Sequence, residues 1–192
     1  MNLLLPCLAA SLLMGQNAPL EASDWPAYKG NAGLTGVSSD DSIKPPFKLV
    51  WTYRLDGDAS SDAGAGVTVA GGRVYVNVHN TRSILALDAR SGRFLWEYKD
   101  HAIGYKTVPT YDDGKLYLLM RQPKKAAVVV LDAATGKELR QHPLKADGMD
   151  PRRAGLAVVD GKVYCSEGGE EPSVIAFDAK SGKELWRTGL GK

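Results

Sequence analysis

The chain is poor in the residues and patterns that usually announce chemistry. It has 2 cysteines, Cys7 and Cys165, and 3 histidines, His79, His101 and His142, each remote in sequence from any other. Such isolation excludes a disulfide framework and a Cys/His zinc site, both of which need closely spaced ligands. No phosphate-cradling Gly-rich loop, nucleophile elbow or Ser-His-Asp order occurs. Positive and negative charges nearly cancel, 24 Lys+Arg against 22 Asp+Glu, and both signs are scattered along the chain. With no basic stripe to follow a phosphate backbone, nucleic acid is excluded as a partner class. The apolar run Leu3–Met14 is too short to span a bilayer.

What is present describes a folded chain: 44% hydrophobic and 24% charged residues over 192 positions. Residues 1–22 carry a single charge, Glu21, and their apolar run suits the h-region of a signal peptide, although no Lys or Arg precedes it. The segment is therefore read as an export signal, cleaved near Ala22, and the mature protein as periplasmic or cell-envelope. Pro6 directly before Cys7 fits a lipid-attachment box badly, so membrane association is left open. Cys165, in an apolar strand, reads as a small core residue.

Self-similarity is the strongest signal. Gly71-Gly72-Arg73-Val74-Tyr75-Val76, Asp113-Gly114-Lys115-Leu116-Tyr117-Leu118 and Asp160-Gly161-Lys162-Val163-Tyr164-Cys165 align with one another. Each is followed by a second match: Ile84 to Trp96, Val129 to Arg140 and Ile175 to Trp186, all carrying Asp-Ala-x-Ser/Thr-Gly-Lys/Arg. The repeat is about 45 residues long, the length of a propeller blade. Within a unit the pattern predicts four strands. Strand A is a short apolar run (Gly66–Ala70, Thr107–Tyr111, Leu156–Val159), B carries Val-Tyr-Val, C is Ile-Leu-Ala-Leu and D is Phe-Leu-Trp. The repeated Asp caps a C–D turn, where Gly supplies a positive φ, and is a turn residue before it is a metal ligand. Trp96 and Trp186 close their units as inter-sheet packing residues; Arg140 replaces Trp in the middle unit and can lay its methylene stem on the neighbour. The expected fold is all-β: about three four-stranded antiparallel β-propeller blades in an incomplete ring. The domain reading is 1–22 signal peptide, 23–48 N-terminal lead-in segment and 49–192 blades, with units near 56–98, 99–142 and 143–188.

The string Ala176-Phe177-Asp178-Ala179-Lys180-Ser181-Gly182-Lys183-Glu184-Leu185-Trp186, preceded by Asp160-Gly161-Lys162-Val163-Tyr164, resembles the pyrroloquinoline-quinone (PQQ) repeat of quinoprotein alcohol dehydrogenases and BamB-like outer-membrane assembly proteins. The lead-in Asp24-Trp25-Pro26-Ala27-Tyr28-Lys29-Gly30-Asn31 looks like that of exported proteins with this repeat. The resemblance implies a propeller; PQQ and calcium follow only if it extends to function. Quinoproteins hold the quinone over a calcium ion with Asp, Glu and Asn residues, beside a disulfide of adjacent cysteines, and none of these markers maps onto this chain. No cofactor is expected, and the functional reading leans away from an enzyme. It is an exported, non-catalytic binding or scaffolding propeller. The alternatives are an N-terminal fragment of a PQQ-dependent alcohol or sugar dehydrogenase, and a sensor or substrate-binding module of a larger envelope protein.

A propeller closes with about four to eight blades, so three blades predict either further blades elsewhere or self-association. Leu49-Val50-Trp51-Thr52-Tyr53 reads as a strand D without its own A, B and C. The B–C and D–A loops vary between units and share one face, where a rigid frame displays binding residues. Tyr105, Lys106, Asp150, Arg152 and Arg153 are the candidate contacts there, an Arg pair suiting a carboxylate or acidic peptide of a protein partner. Glu167, Glu170 and Glu171 cluster beside two glycines, but their spacing fits no calcium loop.

Overall fold

The computed structural model describes residues 24–31, 33–38, 40–42, 44–55, 66–78, 81–101, 103, 108–122, 125–144, 155–167 and 171–191. Twelve strands and no helix occur among them: β1 (Val67–Ala70), β2 (Arg73–Val78), β3 (Ser83–Asp88), β4 (Phe94–Lys99), β5 (Thr110–Asp112), β6 (Lys115–Gln122), β7 (Lys125–Asp132), β8 (Glu138–Leu144), β9 (Leu156–Val159), β10 (Lys162–Glu167), β11 (Ser173–Asp178) and β12 (Glu184–Gly189). They form three antiparallel sheets with strands in chain order, β1 to β4, β5 to β8 and β9 to β12, the blades 1, 2 and 3 of an all-β propeller arc whose ring is not closed.

The turns explain why each run folds back on its neighbour. Between A and B the two linking residues take positive φ, Gly71 and Gly72 in blade 1, Asp113 and Gly114 in blade 2, Asp160 and Gly161 in blade 3. That conformation matches the twist of a tight hairpin and favours Gly and Asp. Between C and D, the Asp88 Oδ1 accepts hydrogen bonds from the Ser91 amide and hydroxyl at 2.8 and 2.7 Å. Asp132 holds Thr135 the same way, and Asp178 holds Ser181. These bonds depress the Asp88 and Asp178 carboxyls below the usual range, the serine hydroxyl being the larger cause. A register shift follows each turn at the same place, Ala86/Leu87, Val130/Leu131 and Ala176/Phe177. The repeated Asp is thus a turn former in all three copies.

The core lies between blades. One cluster joins the rear face of blade 1 (Tyr75, Ala86, Trp96) to the front face of blade 2 (Leu116, Leu118, Leu131). A second joins the rear of blade 2 (Tyr117, Val128, Val130) to the front of blade 3 (Val163, Cys165, Phe177), with Cys165 buried as a core residue. Alternation along each strand gives each sheet these two apolar faces.

Leu49–Tyr53 is not a strand. It pairs with no neighbour among the described residues, because no strand C lies beside it there; Leu49 and Val50 are exposed. Trp51 alone is anchored, its indole N–H donating to the Ala89 carbonyl at 3.0 Å.

Candidate functional site

The sequence-derived contacts Tyr105, Lys106, Asp150, Arg152 and Arg153 all lie outside the described residues, as do His79 and Glu170. Two other places carry geometry: the series of joints between blades, where Trp96 and Arg140 pack as their sequence positions suggest, and the inner edge where the lead-in segment crosses the arc, which sequence reading did not single out.

The joints repeat. Trp51 donates to Ala89, Trp96 donates its indole N–H to the Ala133 carbonyl at 3.3 Å, and Arg140 donates to the Lys180 carbonyl at 2.6 Å. Each donor sits over the C–D turn of the next blade. The turn glycine makes this possible. A Cβ on Gly92 or Gly136 would stand 2.6 Å from the ring of Trp51 or Trp96, and a Cβ on Gly182 would meet His142 and Arg140. Tyr75 adds a second bond at the first joint, its hydroxyl donating to Ala133 at 3.1 Å.

On the rear of blade 3, Tyr164, Ala176 and Trp186 lie in register, as Tyr75, Ala86 and Trp96 do in blade 1. The ring pairs match as well, with centroids 6.0 Å apart in blade 3 and 5.9 Å in blade 1. Their surroundings differ: Trp96 is 8% exposed and Trp186 43%, and every residue of β12 is exposed. Leu185 and Leu190 extend this apolar face.

At the rim of the second joint, Glu167 is 3% exposed and accepts from Arg187 and from the Ser173 hydroxyl, while Arg187 also pairs with Glu184 at 2.9 Å. Glu167 faces inward to Arg187 rather than into a calcium-type loop. No grouping of three His, Cys, Asp or Glu able to hold a metal occurs among the described residues.

The lead-in segment runs along the inner strand edges. Trp25 exchanges two backbone bonds with Val69 of β1, and the Pro26 carbonyl accepts from the Tyr111 amide of β5 at 2.7 Å. Beyond that point a cavity of about 460 Å³ opens, walled by Tyr28, Asn31 and Leu34 of the lead-in on one side and by β9 and β10 on the other. Among the described residues its lining holds hydroxyls, an amide and apolar groups, and no Lys, Arg, Asp or Glu.

Comparison with known proteins gives the following. The family model described as outer membrane protein assembly factor BamB matches residues 46–150 and 124–192. A quinohemoprotein alcohol dehydrogenase, ADH-IIG, of Pseudomonas putida is 28% identical over 97% of this chain and 31% of its own length. A polyvinylalcohol dehydrogenase of Sphingopyxis sp. (strain 113P3) is 25% identical over 94% of this chain and 30% of its own. The solved structure of quinohemoprotein alcohol dehydrogenase ADHIIG from Pseudomonas putida HK5 superposes with a TM-score of 0.66 at 25% identity, covering 88% of this chain and 27% of that one. The chain therefore spans under a third of the length of these relatives. A quinone cofactor of the PQQ type is a flat polycarboxylate that needs cations and, with calcium, an oxygen-ligand set. The described lining of the inner cavity, which is uncharged, does not fit it.

Proposed function

Since this chain belongs to the PQQ-type repeat family whose model is described as outer membrane protein assembly factor BamB, we propose that it is a binding or scaffolding stack of propeller blades. The rear face of blade 3 receives the C–D turn of a further blade. The observation that carries this reading is the joint repeated at Trp51, Trp96 and Arg140, set against a Trp186 that has the same neighbours in its own sheet and lies 43% exposed. The further blade comes from a longer chain or from a second copy. The family description and the apolar run at the N-terminus, which lies outside the described residues, support export to the cell envelope, with residues 1–22 as the signal, 23–48 as lead-in and 49–192 as blades. The variable-loop face with Tyr105, Lys106, Asp150, Arg152 and Arg153 is the proposed contact for a protein partner.

The experiment is sedimentation of the chain over a range of concentrations, with Trp186→Glu in parallel. Association that weakens in the variant, while its melting temperature stays near the parent's, supports the face; association unchanged by Trp186→Glu overturns it.

A second reading rests on the 28% identity to a quinohemoprotein alcohol dehydrogenase across nearly the whole chain. In it these blades are part of a PQQ-dependent alcohol dehydrogenase whose cofactor residues lie outside the described cavity. Titration with PQQ and Ca²⁺, followed by absorbance and by alcohol-dependent dye reduction, separates the two. Stoichiometric binding with turnover favours the enzyme, and no binding favours the scaffold.

A further inference from the structure

Strand A lies at the inner edge of every blade, and its outward-facing backbone groups follow from the hairpin. In blade 1, Ala70 and Arg73 flank the two-residue turn and form a hydrogen-bonded pair, so Val69, opposite Val74, turns its N–H and C=O away from β2. Those are the groups that Trp25 satisfies. Tyr111, opposite Leu116 in blade 2, is the equivalent residue, and its N–H reaches Pro26. In blade 3 the equivalent is Val158, opposite Val163, with Leu156 two residues earlier on the same edge.

Here the progression stops. The lead-in passes blade 3 at Ala27, Tyr28, Asn31 and Leu34 without a backbone bond to β9 among the described residues, and the cavity of about 460 Å³ fills the gap. Val158 is 9% exposed and lines this cavity, and no backbone bond from the lead-in reaches its outward N–H and C=O among the described residues. Buried backbone groups are almost always paired. An edge of this kind is a template for another strand.

We propose that the inner edge of β9, at Leu156–Val158, is a strand-addition site that takes an extended peptide segment with small, uncharged side chains. The extended backbone supplies the bonds that Trp25 and Pro26 supply to blades 1 and 2, and main-chain pairing of this kind gives affinity while side-chain pockets give selectivity. The described walls, built from Tyr28, Leu34, Val174 and hydroxyl groups, leave a charged side chain unpaired. This site adjoins the rear face of blade 3, since Tyr164 borders both, and differs from it in using the main chain of the sheet edge.

The test is amide hydrogen exchange on the whole chain with the probe peptide acetyl-Val-Thr-Val-Thr-Val-amide and its fully N-methylated counterpart. The Val158 and Leu156 amides should exchange about tenfold more slowly with the first peptide and unchanged with the second. Protection of Val158 in the chain alone, independent of concentration, means the chain already covers the edge and overturns the proposal. So does protection that grows with protein concentration, which assigns the edge to a second copy, and so does a failure of the peptide to protect. Val158→Pro removes the edge donor, exchanges the Val158 side chain of the core for a smaller ring, and spares the β9–β10 ladder, since Pro is tolerated where its missing N–H faces outward. It should keep the fold and abolish peptide protection at Leu156; retained protection overturns the proposal. If the variant does not fold, exchange in the parent chain still decides.

Discussion

The joint between blades 1 and 2 and the joint between blades 2 and 3 solve one packing problem with different chemistry. At the first, a buried Trp96 ring covers Gly136, and both Trp96 and Tyr75 donate to the single carbonyl of Ala133. A rim bond from Tyr98 to Glu138 at 2.7 Å completes it. At the second, Arg140 takes the place of Trp, His142 that of Tyr98, and Glu167 an inner-face position that is Met120 in blade 2 and Val78 in blade 1. The turn backbone is the same in both, so the fold is specified by the turn and its glycine, while the side chain laid over them can be aromatic or cationic. At the polar joint the loss is concentrated in one place, because the Glu167 carboxylate is withdrawn from water and depends on the cation of Arg187.

The largest effect expected from breaking this comparison is at the apolar joint. Trp96→Ala removes a ring buried between two sheets and one of the two donors to the Ala133 carbonyl, and should cost about 4 kcal/mol in chemical denaturation. Arg140→Ala, at the equivalent site, removes one hydrogen bond and a partly solvated stem and should cost about 1 kcal/mol. Equal losses at the two positions would mean that the joints are energetically the same despite their chemistry.

Next in size is the ion pair. Arg187→Met leaves the buried Glu167 carboxylate without the cation it pairs with and should destabilise the chain by about 3 kcal/mol, whereas Glu167→Met combined with Arg187→Leu should recover most of that loss. The double substitution makes the second joint resemble the first, where the same position is apolar. If the double variant is as unstable as Arg187→Met, the pair is contributing attraction beyond its own desolvation.

A smaller contrast concerns two tyrosines at the same register position. Tyr75 has a carbonyl partner, but the Tyr117 hydroxyl is buried with no hydrogen-bond partner, and burial pushes it up to about 12. Tyr75→Phe should cost about 1 kcal/mol, while Tyr117→Phe should be neutral or stabilising, since it removes a buried hydroxyl that makes no bond. Denaturation midpoints of the two variants check this directly.

Much of this architecture was legible beforehand. The periodic Tyr75, Tyr117 and Tyr164 marked strand B correctly, and Asp-Ala-x-Ser/Thr-Gly marked a turn, because local hydrogen bonding and positive φ leave signatures in sequence. The run around Trp51 reads as a strand in the sequence and is none in the structure, since an apolar, β-branched run looks the same whether or not a partner lies beside it. The inner edge at Val158 was invisible for a different reason. Which backbone groups are left without partners depends on where the lead-in segment crosses the arc, and no side chain encodes that. The buried role of Glu167 was also hidden; its partner Arg187 is twenty residues away, and a Glu beside glycines reads as a loop charge.

The smallest expected effect distinguishes the joints by their response to acid. His142 stacks on Phe177 with centroids 5.1 Å apart, and burial, followed by the charge of Arg140, lowers its pKa below the ordinary value of 6.5. Below that value the unfolded chain takes up a proton that the folded chain refuses, so the unfolded state binds more protons and stability falls. The contribution is complete above about pH 6.5, declines as the pH drops toward the folded pKa, and levels off below it. Half-burial and solvent screening keep the slope shallow. Tyr98, at the matching position of the first joint, has its pKa raised by burial and by Glu138 and titrates only in alkali. His142→Tyr should therefore flatten the acid slope of denaturation measured between about pH 5 and 8, and an NMR titration of the His142 ring in the parent chain should place its midpoint below that of a free histidine. An unchanged slope in the variant would assign the acid response to other groups and leave the two joints alike in this respect.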